Sequence, residues 1–225
     1  MDGTGFRQKY GPWAFVAGGS VGLGGAYCDA LAAHGLHIAL AARRVEPLEE
    51  KAAELRKKYG VEVRPIRLDL AAPDLLAALE RETDKLEVGM LVLNAALATV
   101  TPFLDAPLEQ ELAKLDVNCR ASLILVHHFA RRMKERRRGG VIVMSSGAGL
   151  IGMPYVATYS ATKGFLNNLA EALWFEMKQH GVDVIGCVTG LTKTPAILAG
   201  TPELKEQRLG GYMEPDEVVR DAGLL

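Results

Sequence analysis

Tyr159 and Lys163 stand four residues apart in the run Tyr159-Ser160-Ala161-Thr162-Lys163. On a helix that spacing puts both side chains on one face, about 6 Å apart at Cβ. A phenol titrates at about 10 and is a poor base at neutral pH. A neighbouring ammonium favours the phenolate and lowers that value. The pair can therefore move a proton on and off an alcohol oxygen. The spacing also arises by chance in many helices, so its meaning depends on what else the chain carries.

A second group of residues suits phosphate. Ala17-Gly18-Gly19-Ser20-Val21-Gly22-Leu23-Gly24 joins an apolar run to an amphipathic one with the spacing Gly-x-x-x-Gly-x-Gly. Residues without Cβ let the backbone approach a phosphate closely, and the start of the following helix offers free N–H groups and partial positive charge. Gly18, Ser20, Gly22, Leu23 and Gly24 are the candidate contacts. The commoner Gly-x-Gly-x-x-Gly pattern fails because Tyr27 occupies its third glycine position. Two other readings stay open: a purely structural turn, and a Gly-x-Ser-x-Gly nucleophile elbow around Ser20. Chain order disfavours the elbow, since the last histidine, His180, precedes the final strand-like run.

The end of the second apolar run bears on which nucleotide would bind. An acid there would hold a ribose 2′-hydroxyl and favour NAD, whereas a cation would receive the 2′-phosphate of NADP. The chain reads Leu40-Ala41-Ala42-Arg43-Arg44, with no acid before Glu46. Guanidinium forms paired, charge-assisted bonds with phosphate. Arg43 and Arg44 therefore predict NADP(H) over NAD(H), the alternative being solvated charges at a strand end.

Elements that could position these groups alternate along the whole chain. Strands are predicted at 13–17, 37–42, 61–68, 88–93, 141–144 and 182–188. Helices are predicted at about 22–34, 45–59, 73–85, 107–138 and 158–180, with Gly139-Gly140 ending the fourth. Six apolar strands separated by helices point to a doubly wound α/β fold, a parallel sheet covered on both faces. One domain over 1–225 is expected. Residues 190–213, rich in Gly, Pro and Thr, break the rhythm and read as a substrate flap.

Composition narrows the partners. The 225 residues are 49% hydrophobic and 24% charged, which excludes wholesale disorder, collagen and coiled coil. A net charge of −1 gives no global attraction to nucleic acid or membrane. Cys28, Cys119 and Cys187 read as buried free thiols in a reducing, cytoplasmic setting. No targeting segment is visible, and the uncharged stretch 10–28 is too rich in glycine to be a membrane span. Adjacent His127 and His128 lack metal-pair spacing, so no metal site is expected. Arg136-Arg137-Arg138 reads as a solvated helix end and not a nucleic-acid patch.

Taken in order, these motifs closely resemble the short-chain dehydrogenase/reductase family over nearly the whole chain. Gly18, Gly22 and Gly24 match its Thr-Gly-x-x-x-Gly-x-Gly, with Ala17 in place of the threonine. Asp69-Leu70 matches the position that holds the adenine. Asn94-Ala95-Ala96 matches part of Asn-Asn-Ala-Gly, with Leu93 and Ala96 as departures. Asn118 matches an active-site asparagine that holds a water beside the lysine. Ser146 stands thirteen positions before Tyr159, the spacing of the family's catalytic serine. Thr189 to Thr194 resembles Pro-Gly-x-x-x-Thr, with Thr189 replacing the proline, and places Thr192 and Thr194 near the nicotinamide. Lys9-Tyr10-Gly11-Pro12-Trp13 and Arg43-Arg44 look like a branch with bacterial hydroxysteroid dehydrogenases and 3-ketoacyl reductases.

The resemblance implies a Rossmann-like three-layer α/β/α fold and hydride transfer between NADP(H) and a ketone or secondary alcohol. Ser146 would bond the carbonyl oxygen and Tyr159 would supply its proton. Lys163 would tune the phenol and hold the nicotinamide ribose, while Asn118 would fix the water. Apolar Pro195, Ala196, Ile197 and Leu198 suggest a hydrophobic carbonyl substrate. A homodimer or homotetramer through the helices at 107–138 and 158–180 is implied. The family's seventh strand is not found after 215–220, so either the sequence is truncated or its sheet ends at six strands. The rival reading is a nucleotide-binding sensor with little turnover.

Overall fold

The computed structural model describes residues 3–194 and 212–222. Strands β1 (Trp13–Ala17), β2 (His37–Ala42), β3 (Val63–Arg67), β4 (Val88–Leu93), β5 (Gly139–Ser146) and β6 (Val182–Thr189) form one parallel sheet. Their order is β3-β2-β1-β4-β5-β6, so the chain reverses its direction of travel at the β1/β4 seam. In open sheets of this kind, ligands bind beyond the strand ends at that seam.

Alternation along each strand divides the core into two layers. Phe15, Leu91, Val141 and Val143 belong to one; Val16, Met90, Val92 and Ile142 belong to the other. Every residue of β4 is buried, as expected of a strand covered on both faces. Helices α2 (Gly22–Ala33) and α3 (Val45–Tyr59) contribute Leu31, Leu48 and Leu55 to the second layer. Helices α4 (Leu75–Thr83), α6 (Ala121–Arg136) and α7 (Ala157–Lys178) contribute Leu79, Phe129 and Leu166 to the first.

The six strands and their flanking helices match expectation, and four details differ. A first helix, α1 (Gly3–Tyr10), buries Phe6 and Tyr10, and the Tyr10 hydroxyl donates to Asp183 at 2.5 Å. The single helix expected over 107–138 is α5 (Leu108–Leu115), a π turn at Asp116–Arg120 and then α6. The helix is closed not by glycine but by Arg137 in the left-handed region (φ 55°), whose guanidinium donates to the Gln179 carbonyl at 3.1 Å. Gly139 and Gly140 instead open β5, where a Cβ on Gly139 would lie 2.6 Å from the Met133 side chain. All three cysteines are free, but only Cys28 is buried; Cys119 and Cys187 are half-buried. The last helix, α8 (Pro215–Asp221), packs on the second layer through Val218 and Val219.

Candidate functional site

The glycine turn lies between the end of β1 and the start of α2, and each of its three key glycines has a local reason. Gly18 and Gly22 take φ of +78° and +58°, a region that other residues rarely adopt. A Cβ on Gly24 would come within 2.0 Å of the Gly18 carbonyl and 2.6 Å of Asn94 Nδ2. Asn94 donates to that same carbonyl at 3.1 Å, and the Ala95 N–H donates to Ala17 at 2.9 Å. Asn94 and Ala95, expected at the cofactor, thus brace the turn from β4. The first turn of α2 has no side-chain cap, since Val21 precedes it. Its N–H groups are the donors left for a phosphate. Leu23 is buried in the second core layer, and Ser20 is half-buried with no histidine bonded to it among the described residues.

Beyond β2, Arg43 and Arg44 are exposed and have no hydrogen bond or ion pair among the described residues. Asp69 is exposed and accepts from the Ala71 N–H at 3.0 Å, while Leu70 is buried. This turn is anchored by a residue that the motifs do not point to. Arg120 donates to the carbonyls of Ala71 (2.8 Å) and Ala72 (2.9 Å) and is oriented by Asp116 at 2.8 Å. The i,i+4 pairing of Asp116 with Arg120 is the only trace of it in the sequence.

Ser146 at the end of β5 and Tyr159 in the first turn of α7 lie near enough that the serine hydroxyl favours the phenolate. The Ser146 oxygen also accepts from the Ala148 N–H at 3.2 Å. Lys163, 3% exposed, lies one turn below the phenol with Nζ 5.6 Å from the ring centroid, and it donates to the Met144 carbonyl at 2.8 Å. Burial pushes the Lys163 ammonium down to about 8. Burial also raises the Tyr159 phenol above its ordinary value, opposed by the nearby Ser146 hydroxyl. That direction is opposite to the lowering expected from the lysine. The reason is desolvation: a phenolate here would exchange bulk water for a largely apolar surround. Ser145, the neighbour of Ser146, is turned to the Lys163 carbonyl and is structural.

Asn118 sits in the π turn, fully buried. Its amide donates to the Leu97 carbonyl and to Thr162 Oγ1, both at 3.0 Å, and its Oδ1 accepts from the Leu97 N–H at 2.8 Å. Both amide donors are spent on protein, so the side chain acts as a clamp that joins the loop after β4 to α7. π turns often mark functional positions. This one turns Asn118 toward the clamp.

The loops after β4, β5 and β6 surround Ser146 and Tyr159 in the topology, and they expose Val100, Leu150, Ile151 and Leu191. Tyr155 has φ of +66°, and its carbonyl accepts from Thr101 at 2.8 Å, joining two of these loops. Thr192 is buried and forms a parallel bridge with Met213. Thr194 is half-buried. The expected flap over 190–213 lies for the most part outside the described residues, including its apolar Pro195, Ala196, Ile197 and Leu198.

The family model described as short chain dehydrogenase matches residues 12–202. The chain belongs to the short-chain dehydrogenase/reductase family. It is 34% identical over 196 residues to a 7beta-hydroxysteroid dehydrogenase of Collinsella aerofaciens, covering 87% of this chain and 74% of that one. It is 33% identical over 185 residues to a human very-long-chain 3-oxoacyl-CoA reductase, covering 80% and 59% respectively. Among solved structures, a short-chain dehydrogenase from Sphingobium yanoikuyae in complex with NADPH superposes with a TM-score of 0.86 at 29% identity, covering 94% of this chain and 82% of that one. As a short-chain dehydrogenase/reductase the protein is an oxidoreductase that acts on CH–OH groups with a nicotinamide cofactor. The hydrolase reading of Ser20 has no place in this family. No described helix is long and apolar enough to cross a membrane.

Proposed function

We propose that the protein is an NADP(H)-dependent oxidoreductase interconverting a ketone and a secondary alcohol on a hydrophobic substrate, of hydroxysteroid or ketoacyl type. The observation that carries this reading is buried Lys163 with its Nζ 5.6 Å from the Tyr159 ring, and Ser146 at the finishing end of β5. The cradle fits the cofactor: two left-handed glycines, an uncapped helix start and two unpaired guanidiniums offer donors and positive charge to a dinucleotide carrying an extra phosphate. Gly18, Ser20, Gly22, Leu23 and Gly24 would hold the pyrophosphate side, Arg43 and Arg44 the 2′-phosphate. Asp69 and Leu70 would hold the adenine, with Asn94 and Ala95 bracing the cradle and Thr192 and Thr194 near the nicotinamide.

When bound, the reduced nicotinamide supplies the hydride. The Ser146 hydroxyl donates to the substrate oxygen as charge develops there. Tyr159 gives its proton to that oxygen, and a raised pKa keeps the phenol in the neutral, donating form at neutral pH. The Lys163 proton, weakly held at about 8, is available to restore the phenol. Asn118 keeps α7 in register with the loop after β4. Exposed Val100, Leu150, Ile151 and Leu191 support an apolar substrate. Exposed Leu108, Leu112, Trp174 and Phe175 on α5 and α7 support a homodimer or homotetramer. Residues 1–225 would act as one domain, with 190–213 as the flap over the substrate.

The test is to follow oxidation of NADPH and of NADH against a panel of steroid, 3-ketoacyl and small polar ketones. Turnover should favour NADPH and the bulky apolar ketones. Tight NADPH binding with no turnover of any ketone would overturn the proposal in favour of a sensor.

A further inference from the structure

Arg67, the last residue of β3, is exposed and has no hydrogen bond or ion pair among the described residues. That is unusual in this molecule. Every other described arginine except Arg43 and Arg44 has a partner, whether a carboxylate, a carbonyl or a histidine ring. Even Arg64, on the same short strand, pairs with Glu82 at 3.2 Å. The three unpaired arginines are also close along the backbone. Ala42 and Arg67 are register partners across the β2/β3 seam, and the Leu68 N–H donates to the Ala42 carbonyl at 3.1 Å. Arg43 and Arg44 follow Ala42 directly.

Strand alternation says which layer Arg67 faces. Ile66 and Leu68 belong to the first core layer, whereas Val63 belongs to the second with Leu48 and Leu55 of α3. Residues 63, 65 and 67 share a face, so Arg67 emerges on the layer of α3, whose uncapped start is Arg44. Three like charges side by side repel each other and lower stability, and none is relieved by a carboxylate. Glu46 in the first turn of α3 is exposed and paired with none of them, and Asp69 accepts from backbone. A dianion would relieve all three charges together.

We propose that Arg67 is the third cation of a receptor for the ribose 2′-phosphate, facing Arg43 and Arg44 across the β2/β3 seam and setting the choice between the phosphorylated and unphosphorylated dinucleotide. This rests on the NADP(H) reading above. Arg67 is a specificity-determining residue that takes no part in proton transfer.

The test compares wild type with Arg67→Ala, Arg67→Lys, Arg43→Ala and Arg44→Ala in kcat/KM for NADPH and for NADH. Competitive inhibition by adenosine 2′,5′-bisphosphate and by 5′-AMP is measured alongside. Loss of a charge-assisted bond to phosphate predicts a drop of about 10-fold for NADPH and for the bisphosphate in Arg67→Ala. NADH and 5′-AMP should change less than about 2-fold, and Arg67→Lys should recover part of the loss. Equal losses with both cofactors would put Arg67 on the shared part of the nucleotide and overturn the proposal, as would no change with either. A wild-type enzyme without preference for NADPH removes the underlying reading. A preference abolished by Arg43→Ala or Arg44→Ala but untouched by Arg67→Ala removes only this one.

Discussion

At the end of the sheet where the strands begin, Arg132 reaches Asp84, Arg136 the Val88 carbonyl, Arg137 the Gln179 carbonyl, and Arg138 both Gln8 and Glu87. Where the strands finish, Arg43, Arg44 and Arg67 reach nothing in the described chain. Arg136, Arg137 and Arg138 read from sequence as a solvated helix end. They are instead a set of clamps joining α6 to β4, α7 and α1. The side chain is the same at both ends, and what differs is the acceptors within its reach. Strand starts, helix ends and the first helix crowd carbonyls together at one end. At the other, the loops diverge, and although Arg120 finds the Ala71 and Ala72 carbonyls, Arg43, Arg44 and Arg67 stay free. On the proposed reading, the cofactor binds where positive charge has not been consumed by the fold itself.

Substitutions at the two ends should separate stability from binding. The largest effect expected is Gly24→Ala at the finishing end, because its Cβ would overlap the Gly18 carbonyl and Asn94. Relief must come from moving the turn, at a cost of about 1–3 kcal/mol, and cofactor affinity should fall with it. Thermal unfolding and cofactor titration together check this; an unchanged affinity would show that the turn does not hold the dinucleotide. Arg136→Ala at the starting end loses a bond to the Val88 carbonyl and a longer ion pair with Glu87, together worth about 1 kcal/mol. Tm should drop by about 2–4 °C, with KM for cofactor and substrate unaltered. A changed KM would break the division between the two ends.

The smallest effect at neutral pH concerns His128 of α6, which is buried against Thr83, with Arg132, Asp84 and His127 as the charged groups around it. Burial first, then Arg132, pushes its pKa down to about 4 from the ordinary 6.5. The folded form therefore holds it neutral. Its stabilising contribution is present above about pH 6.5 and is lost as pH falls toward 4. Denaturant unfolding from pH 7 to 4.5 should show a loss of stability that His128→Gln reduces. A parallel loss in both proteins would assign the acid sensitivity elsewhere.

Much of this was legible from residue types. Apolar runs marked the six strands because buried parallel strands must be apolar on both faces. The glycines, Tyr159 and Lys163 announced themselves because their chemistry depends on residue types at fixed spacing, while Ser146 followed from the family resemblance. Bonds to backbone carbonyls did not, since every residue offers the same acceptor. Hence the anchoring of the Asp69 turn by Arg120, the closure of α6 by Arg137 and the clamp made by Asn118 needed three dimensions. The π turn was hidden for a related reason, because one extra residue per turn leaves the local hydrophobic pattern almost unchanged. The rise of the Tyr159 pKa depends on desolvation, which spacing alone does not report.

On the proposed function, the finishing end is a catalytic site in which Tyr159 moves the proton. Tyr159→Phe removes one hydroxyl and keeps the ring beside Lys163. Turnover of a reducible ketone and the dissociation constant for NADPH are measured on the same sample. Turnover should be lower by about 10²–10⁴-fold with NADPH binding within about 2-fold of wild type. Near-normal turnover in Tyr159→Phe would contradict it.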